Sequence, residues 1–411
     1  MRVLVLWRQC AVDMKMRKTD IDHAFSFQRY DKENEYFYFN IYNGRFANDY
    51  NWIDKKMFDV VIFHYTAMEL RGLDRHWANF LQLMKLIWRE YPCKKIIMSQ
   101  DDYTLTERIW DLALGVKVDK IYTVMRKWDH SILYPKSMLG NIEIKTVLTG
   151  YVEESYIDKI TYRDHRQRKY DVVYRACKLS YRYGKQGQLK YELVPYFNKK
   201  LKNSGFIYDI ASTNDNKGAV LGNSWFDFLA SSRTVIGCLG GAGFADITGE
   251  YDKKVREYTA LHTDATYEET KEVCFPDVKE NLTGVVSPRI FDAAITKTCQ
   301  ILVGEDFQEI LRPNVDYIVL NTDFSNIDEV IMKMKDIDYC EEIANNCYEH
   351  VVESQKYTYK KFAKWLINDI GLISSDENNS INDINKYIAR MCKKNNDTVM
   401  NEILLKEEKE R

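Results

Sequence analysis

The sequence predicts an α/β protein built from two doubly wound Rossmann-like domains facing a central cleft. Three observations carry that prediction. Strand-like runs alternate with helical stripes in two successive series along the 411 residues. The runs are mostly unbroken apolar segments rather than alternating ones, as expected of parallel strands covered by helices on both faces. A polar stretch over 151–169, ending in YRDHRQRK, separates the two series. A chain of 411 residues also suits two domains at roughly 100–200 residues each.

The first series gives an N-terminal, acceptor-side domain over 1–150. Strands are predicted at Val3–Trp7, Tyr36–Tyr42, Val60–Tyr65, Lys95–Ser99 and Ile121–Val124. Between the third and fourth, Arg75–Tyr91 places Trp77, Phe80, Leu81, Met84, Leu86, Ile87 and Trp88 along one helical stripe. The 151–169 stretch reads as a solvated linker. The second domain, 170–370, repeats the plan. Its strands are predicted at Asp171–Tyr174, Ile207–Ala211, Thr234–Cys238, Cys299–Val303 and Tyr317–Leu320. Its helices are predicted at Gly187–Asn203, Trp225–Ser231, Pro288–Thr296 and Ile327–Lys335, with a long helical region, Glu341–Asp369, closing the domain. Residues 371–411 form a polar tail with a helix expected at Ile381–Cys392.

Composition narrows the function classes. Lys plus Arg is 59 against 61 for Asp plus Glu, a net charge of -2. That balance argues against a nucleic-acid partner, which usually calls for a basic excess. Nine cysteines form no C-x-x-C pair, the pattern of reduced cytosolic thiols rather than a disulfide frame or zinc site. The opening run MRVLVLWRQC is too short for a signal peptide. No segment approaches the ~20 apolar residues of a membrane span. The expected location is cytoplasmic, with peripheral contact at the inner face of the membrane left open.

In doubly wound sheets, ligands bind at the carboxyl ends of the strands, so functional residues are sought there. Arg175 directly follows the strand Asp171–Tyr174. The loop Leu239–Gly243 supplies Gly240 and Gly241, which let backbone approach a ligand closely. Ser287-Pro288 reads as a helix start, with Ser287 as cap and Pro288 first in the helix. Such an end attracts phosphate; Arg289 adds a fork of donors, and Asp292 offers a carboxylate to a diol. In the first domain, His64 ends VVIFHY, while Asp101 and Asp102 end KKIIMSQDD; His23 is read in the loop after the first strand, within DIDHAFSF. The adjacent spacing of Asp101 and Asp102 lacks the separation of a metal-binding D-x-D, so no metal is read.

The segment SPRIFDAA, the strand CQILV, then DFQEILRPNVDYIVLNTD and SNIDEV, together with upstream GNSWFDFLASSRTVIGCLGGAGFADITGEY, resembles the C-terminal half of bacterial GT-B glycosyltransferases. The resemblance is to the family 1 or family 4-like group that includes spore-coat-maturation-type members. It covers 170–366 in detail and the first domain only by plan. It implies a nucleotide-diphosphate sugar held by the second domain, with Asp292 on the ribose hydroxyls. Arg175 and Lys190, the latter in the helix that follows, would neutralise the diphosphate, with Arg182 and Lys185 in the loop as spares. The family has Glu where this chain has Asp292, and often another Glu where it has Gly284.

The expected function is therefore a glycosyltransferase of the hexosyl- or N-acetylhexosaminyl-transferase class. Its acceptor would be a glycan, a precursor of cell-envelope polysaccharide, or a protein. A retaining, metal-independent reaction without cofactor is expected, with Arg175, Lys190, His64 and Asp101 as catalytic candidates. The alternatives are a catalytically silent nucleotide- or sugar-binding subunit, an inverting transferase using Asp101, Asp102 or His23 as base, and a nucleotide-sugar epimerase of the same fold.

Overall fold

The computed structural model describes residues 1–8, 18–41, 58–214, 218–220 and 222–372. They form two compact units, 1–147 with 359 onward, and 148–358. Unit 1 carries a six-stranded sheet in the order β2-β1-β3-β4-β5-β6. Its strands are β1 (Arg2–Trp7), β2 (Glu35–Asn40), β3 (Val60–Phe63), β4 (Lys94–Ser99), β5 (Lys120–Thr123) and β6 (Glu143–Thr146). Unit 2 carries a five-stranded sheet in the order β11-β10-β9-β7-β8. Those strands are β7 (Tyr170–Ala176), β8 (Tyr208–Ser212), β9 (Ser232–Gly237), β10 (Cys299–Val303) and β11 (Ile318–Leu320). Every pairing in both sheets is parallel. The doubly wound α/β class read from the sequence holds in each unit.

The apolar runs explain the strands. Val3 to Trp7 are fully buried along β1, and β3 is buried at all four positions. Such strands need helices on both faces. In unit 1 these include Lys18–Tyr30, Asp74–Trp88, Thr106–Val116 and Tyr359–Asp369. In unit 2 the largest core joins Val172, Ile236, Ile301 and Ile318 on one face of the sheet to Phe197 and Ile343 of the helices that cover it. Val173 and Val235, and Leu302 and Val319, belong to separate cores on the other face. The two-helix segment Glu250–Leu261 and Tyr267–Cys274 has a small core of its own, built on Phe244, Val255, Cys274 and Phe275.

Two boundaries differ from the sequence reading. The long helical region is broken. It consists of Ile337–Tyr348, a π-helical turn Glu349–Glu353, and the separate helix Tyr359–Asp369. Gln355 interrupts it with φ of +56°. The last helix belongs to unit 1, where Asp369 accepts from Tyr122 Oη at 2.6 Å and pairs with Lys120 at 3.1 Å and with Lys145. Apolar periodicity runs through the break and so conceals it. The 151–169 stretch is also no solvated linker. Val152 is buried in a unit 2 core, and Arg168 donates to Ser232 O at 2.8 Å and Thr296 O at 3.1 Å. His165 likewise bonds Lys297 O at 2.9 Å, so two polar residues of the stretch satisfy buried carbonyls while their neighbours stay exposed. Tyr42, the Ile381–Cys392 helix and the rest of the 373–411 tail lie outside the described residues.

Candidate functional site

In unit 2, β7 lies between β8 and β9, so the chain runs to opposite sides of β7 and leaves a switch point at its carboxyl end. A pocket opens there. Its lining includes Tyr174, Lys190, Trp225, Cys238, Ser287 and Arg289 together with apolar core side chains such as Leu229 and Ile236. The sequence reading placed Lys190, Ser287 and Arg289 at one site, and the fold brings these three together.

They come from two elements. Lys190 is on the helix Gly184–Leu201 that follows β7. Its ammonium lies over Gly240, where a Cβ would come within 3.1 Å of Nζ. The helix Arg289–Ile295 has Pro288 as its N-cap; Ser287, expected to cap it, lies one residue earlier, and its Oγ accepts from Arg289 N at a long 3.5 Å. Ser287 O accepts from Ile290 N at 3.2 Å, and Pro288 already has helical angles of −56° and −21°. Arg289 is anchored at two points, its Nη1 donating to Arg175 O at 2.5 Å and its guanidinium lying 5.3 Å from the Trp225 ring centre. Asp292, one turn along, accepts from Trp225 Nε1 at 2.9 Å.

The other glycine-loop and strand-end residues play different parts. Gly240 N donates to Val285 O at 2.8 Å, and Gly240 O accepts from Val285 N at 2.9 Å. Its amide is committed to the fold, and its contribution is close approach. Gly241 supplies a φ of +98° that a side chain resists. Gly284 packs so tightly on this loop that a Cβ would sit 2.7 Å from Leu239 Cβ and 3.0 Å from Gly240 O. A glutamate cannot be accommodated there without moving the loop. Arg175 faces away from the role expected of it. It is buried, pairs with Asp209 at 2.8 Å, and donates to Asp209 O at 2.8 Å, Gly218 O at 2.8 Å and Tyr174 O at 2.9 Å. Phe228 lies beneath it at 4.5 Å. These partners tie β7 to β8 and account for the guanidinium structurally.

Electrostatics agree with a cationic pocket. Burial pushes the Cys238 thiol up to about 11, and Lys190 and Arg289 pull against that shift. Burial likewise holds the Tyr174 hydroxyl well above its usual range. The arrangement offers two cations, a hydroxyl and a carboxylate around an aromatic wall.

Unit 1 presents the contrast. His64 caps the helix Tyr65–Met68, accepting from Thr66 N at 3.3 Å, and its Nε2 meets His23 Nδ1 at 2.9 Å. Both rings are buried, and burial lowers His23 to about 3 and His64 well below its usual value. Asp101 is exposed at φ +54° and accepts from Tyr103 Oη at 2.5 Å. Arg71 braces this loop by donating to Asp101 O at 2.7 Å, Gln100 O at 2.9 Å and Thr104 O at 3.1 Å. Asp102 is fully buried against Ser99 and Thr123, and burial raises its pKa. The two neighbouring carboxylates thus occupy different environments. Among the described residues, no group of three or more His, Cys, Asp or Glu could hold a metal ion. Among them, too, no helix is long and apolar enough to cross a membrane.

Trp225, Tyr174 and Cys238 were not singled out from the sequence. Each lies in an apolar run that reads as core, and only the fold shows that the run ends at a pocket.

No protein-family model matches the chain, and no curated protein matches it in sequence. Solved structures do match in shape. One is an α-glucosyltransferase in complex with UDP and a 13-mer DNA containing a HMU base, with TM-score 0.56, 10% identity, and coverage of 90% of this chain and 99% of that one. Another is an α-glucosyltransferase in complex with UDP-glucose and DNA containing an abasic site, with TM-score 0.53, 10% identity and the same coverage, 90% and 99%. At this identity the likeness shows a shared fold, the two-domain Rossmann-like GT-B architecture.

Proposed function

We propose that the protein is a glycosyltransferase that takes a sugar from a nucleoside-diphosphate donor bound in the unit 2 pocket. One observation carries the reading: Lys190, Ser287 and Arg289 line a single pocket at the strand ends, one turn from Asp292. Two cations and a hydroxyl suit a diphosphate; a carboxylate beside them suits a ribose diol. The resemblance of SPRIFDAA to the bacterial family 1 or family 4-like group, and the UDP and UDP-glucose held by proteins of the same fold, support it. A hexosyl or N-acetylhexosaminyl group is the proposed cargo.

The proposed reaction retains configuration and needs no metal. The glycosidic bond breaks as the diphosphate oxygen leaves, and that oxygen takes the acceptor's proton on the same face. Lys190 and Arg289 meet the charge that grows on the leaving group, the step in which fixed charges contribute most. Arg175 supplies the backbone carbonyl that Arg289 binds. The near-neutral composition favours a glycan, a cell-surface polymer precursor or a protein as acceptor over nucleic acid. Because proteins of the same fold are described with DNA, DNA belongs in the acceptor panel as well.

The test is a melting-temperature screen against nucleotide sugars, since a ligand at 100 times its Kd stabilises by about 2.7 kcal/mol. Donor hydrolysis is then measured with and without EDTA. A stabilising donor that is turned over in EDTA is expected. No shift with any nucleotide sugar overturns the reading. Binding without turnover favours the second reading, a silent nucleotide-binding subunit, which Asp292 and Gly284 support where the family has glutamate.

A further inference from the structure

The helix Asn223–Ala230 carries two aromatic rings three residues apart, Trp225 and Phe228, with centroids 5.9 Å from each other. Residues at that spacing share a helix face. Each ring carries an arginine from elsewhere in unit 2. Arg289 lies over Trp225 at 5.3 Å and Arg175 over Phe228 at 4.5 Å. The two arginines are themselves joined through the 2.5 Å bond from Arg289 to Arg175 O. Phe228 therefore supports the structural arginine, and Trp225 supports the one in the pocket.

Trp225 does a second thing with a different part of its ring. The π face takes the guanidinium, while the edge Nε1–H donates to Asp292 Oδ2 at 2.9 Å. One indole thus holds the cation with its face and the carboxylate with its edge. Arg289 is an exposed side chain on a seven-residue helix. A long flexible arginine loses substantial rotamer freedom when it binds, and an aromatic surface that holds it in advance reduces that cost. A carboxylate beside a cation otherwise turns toward it. An indole N–H fixes the carboxylate's orientation, because the indole donates and cannot accept.

We propose that Trp225 is a positioning residue that holds Arg289 for the diphosphate through its ring face and Asp292 for the ribose through its N–H. The proposal rests on the donor-pocket reading above and deepens it. It separates two functions in one side chain, and substitution can separate them too. Trp225→Phe keeps an aromatic face for Arg289 and loses the N–H. Trp225→Leu loses both.

The test is calorimetric titration of the full chain and both variants with UDP, 2′-deoxy-UDP and inorganic pyrophosphate, after melting curves confirm folding. The wild type should prefer UDP to its 2′-deoxy form. In Trp225→Phe that preference should fall by about 10-fold, the scale of a hydrogen bond to a charged group, while pyrophosphate affinity stays within twofold. In Trp225→Leu pyrophosphate affinity should also fall, by about 2- to 5-fold, the scale of an exposed cation–π contact. Should Trp225→Phe keep the wild-type preference for ribose, the proposal is overturned and the donor reading survives. Equal losses of pyrophosphate affinity in the two variants would make Trp225 plain packing and overturn it as well. A wild type that binds none of the three probes removes the donor reading and the proposal together.

Discussion

The carboxyl ends of the two sheets invite a direct comparison. Both sheets are parallel and doubly wound, and both place polar residues just beyond their strands. In unit 1 most of those residues turn inward, Asp101 excepted. His64 is capped onto a helix and paired with His23, and Asp102 is enclosed by Ser99 and Thr123. In unit 2 the corresponding positions frame open space, with Lys190, Ser287, Arg289 and Trp225 around it. A polar residue at a strand end is therefore not a site by position alone. What distinguishes the two is whether the fold has already supplied its partners.

The largest effects should come from the unit 2 cations. Lys190→Ala and Arg289→Ala each remove a charge aimed at the leaving diphosphate, so turnover should fall on the order of 100- to 1,000-fold. Melting temperatures should barely move, because neither side chain is buried. His64→Asn, which keeps a capping acceptor for Thr66 N, should leave donor affinity within a few-fold. A reversed result, with His64 controlling donor affinity and Lys190 dispensable, would break the comparison.

Arg175 sharpens it. Read as a catalytic cation it should behave like Arg289, but its bonds to Asp209, Gly218 and Tyr174 predict a different failure. Removing one partner of a buried ion pair costs about 3–5 kcal/mol. Asp209 is a third exposed, so water recovers part of that loss and about 2–3 kcal/mol is expected for Arg175→Ala. At about 2–4 °C per kcal/mol for a domain of this size, the melting temperature should fall by about 4–12 °C. Unchanged melting with lost turnover would return Arg175 to the pocket.

These outcomes also show what the sequence could reveal. The strand ends were legible because unbroken apolar runs such as VLVLW, VVIF and CQILV stop abruptly at polar residues. Ser287, Arg289 and Asp292 followed from a Ser-Pro helix start, and Lys190 from the family resemblance alone. The role of Arg175 was hidden, because its partner Asp209 is a register neighbour on β8 and pairing register is not written in either strand alone. Trp225 was hidden in a helix whose apolar face reads as core. The break before Tyr359 was hidden because the stripe of apolar residues continues across it.

The buried histidines of unit 1 predict a pH effect. Both rings are neutral when folded, with burial holding His23 at about 3 and His64 also well below its usual value. In the unfolded chain they take protons near their ordinary pKa of about 6.5. Below that pH the unfolded state binds more protons, so stability is lost as pH falls from about 6.5 toward 3. Each ring contributes about 1.4 kcal/mol per pH unit across that window. His165 in unit 2, lowered to about 4 by burial, adds to the total, so the measurement is a difference. Wild type should lose stability more steeply between pH 6 and 4.5 (~1.5 pH units) than His23→Leu/His64→Asn. Parallel curves would mean that the pair carries a proton in the folded state.

The smallest effect should be at Asp292. Asp292→Asn preserves the shape and keeps an oxygen that can accept from Trp225 Nε1, so the Arg289–Trp225 arrangement should survive. What disappears is the negative charge that strengthens hydrogen bonds to a diol. Those bonds form with the bound donor and persist as the glycosidic bond breaks, so they stabilise both states alike. A uniform loss raises KM and leaves kcat nearly unchanged. The expected rise in donor KM is about 10-fold, the scale of one charge-assisted hydrogen bond. The same substitution should cost a 2′-deoxy donor much less, because the hydroxyl it binds is missing. If kcat falls instead and KM holds, Asp292 acts on charge that develops only during transfer. It would then belong with Lys190 and Arg289 rather than with the ribose.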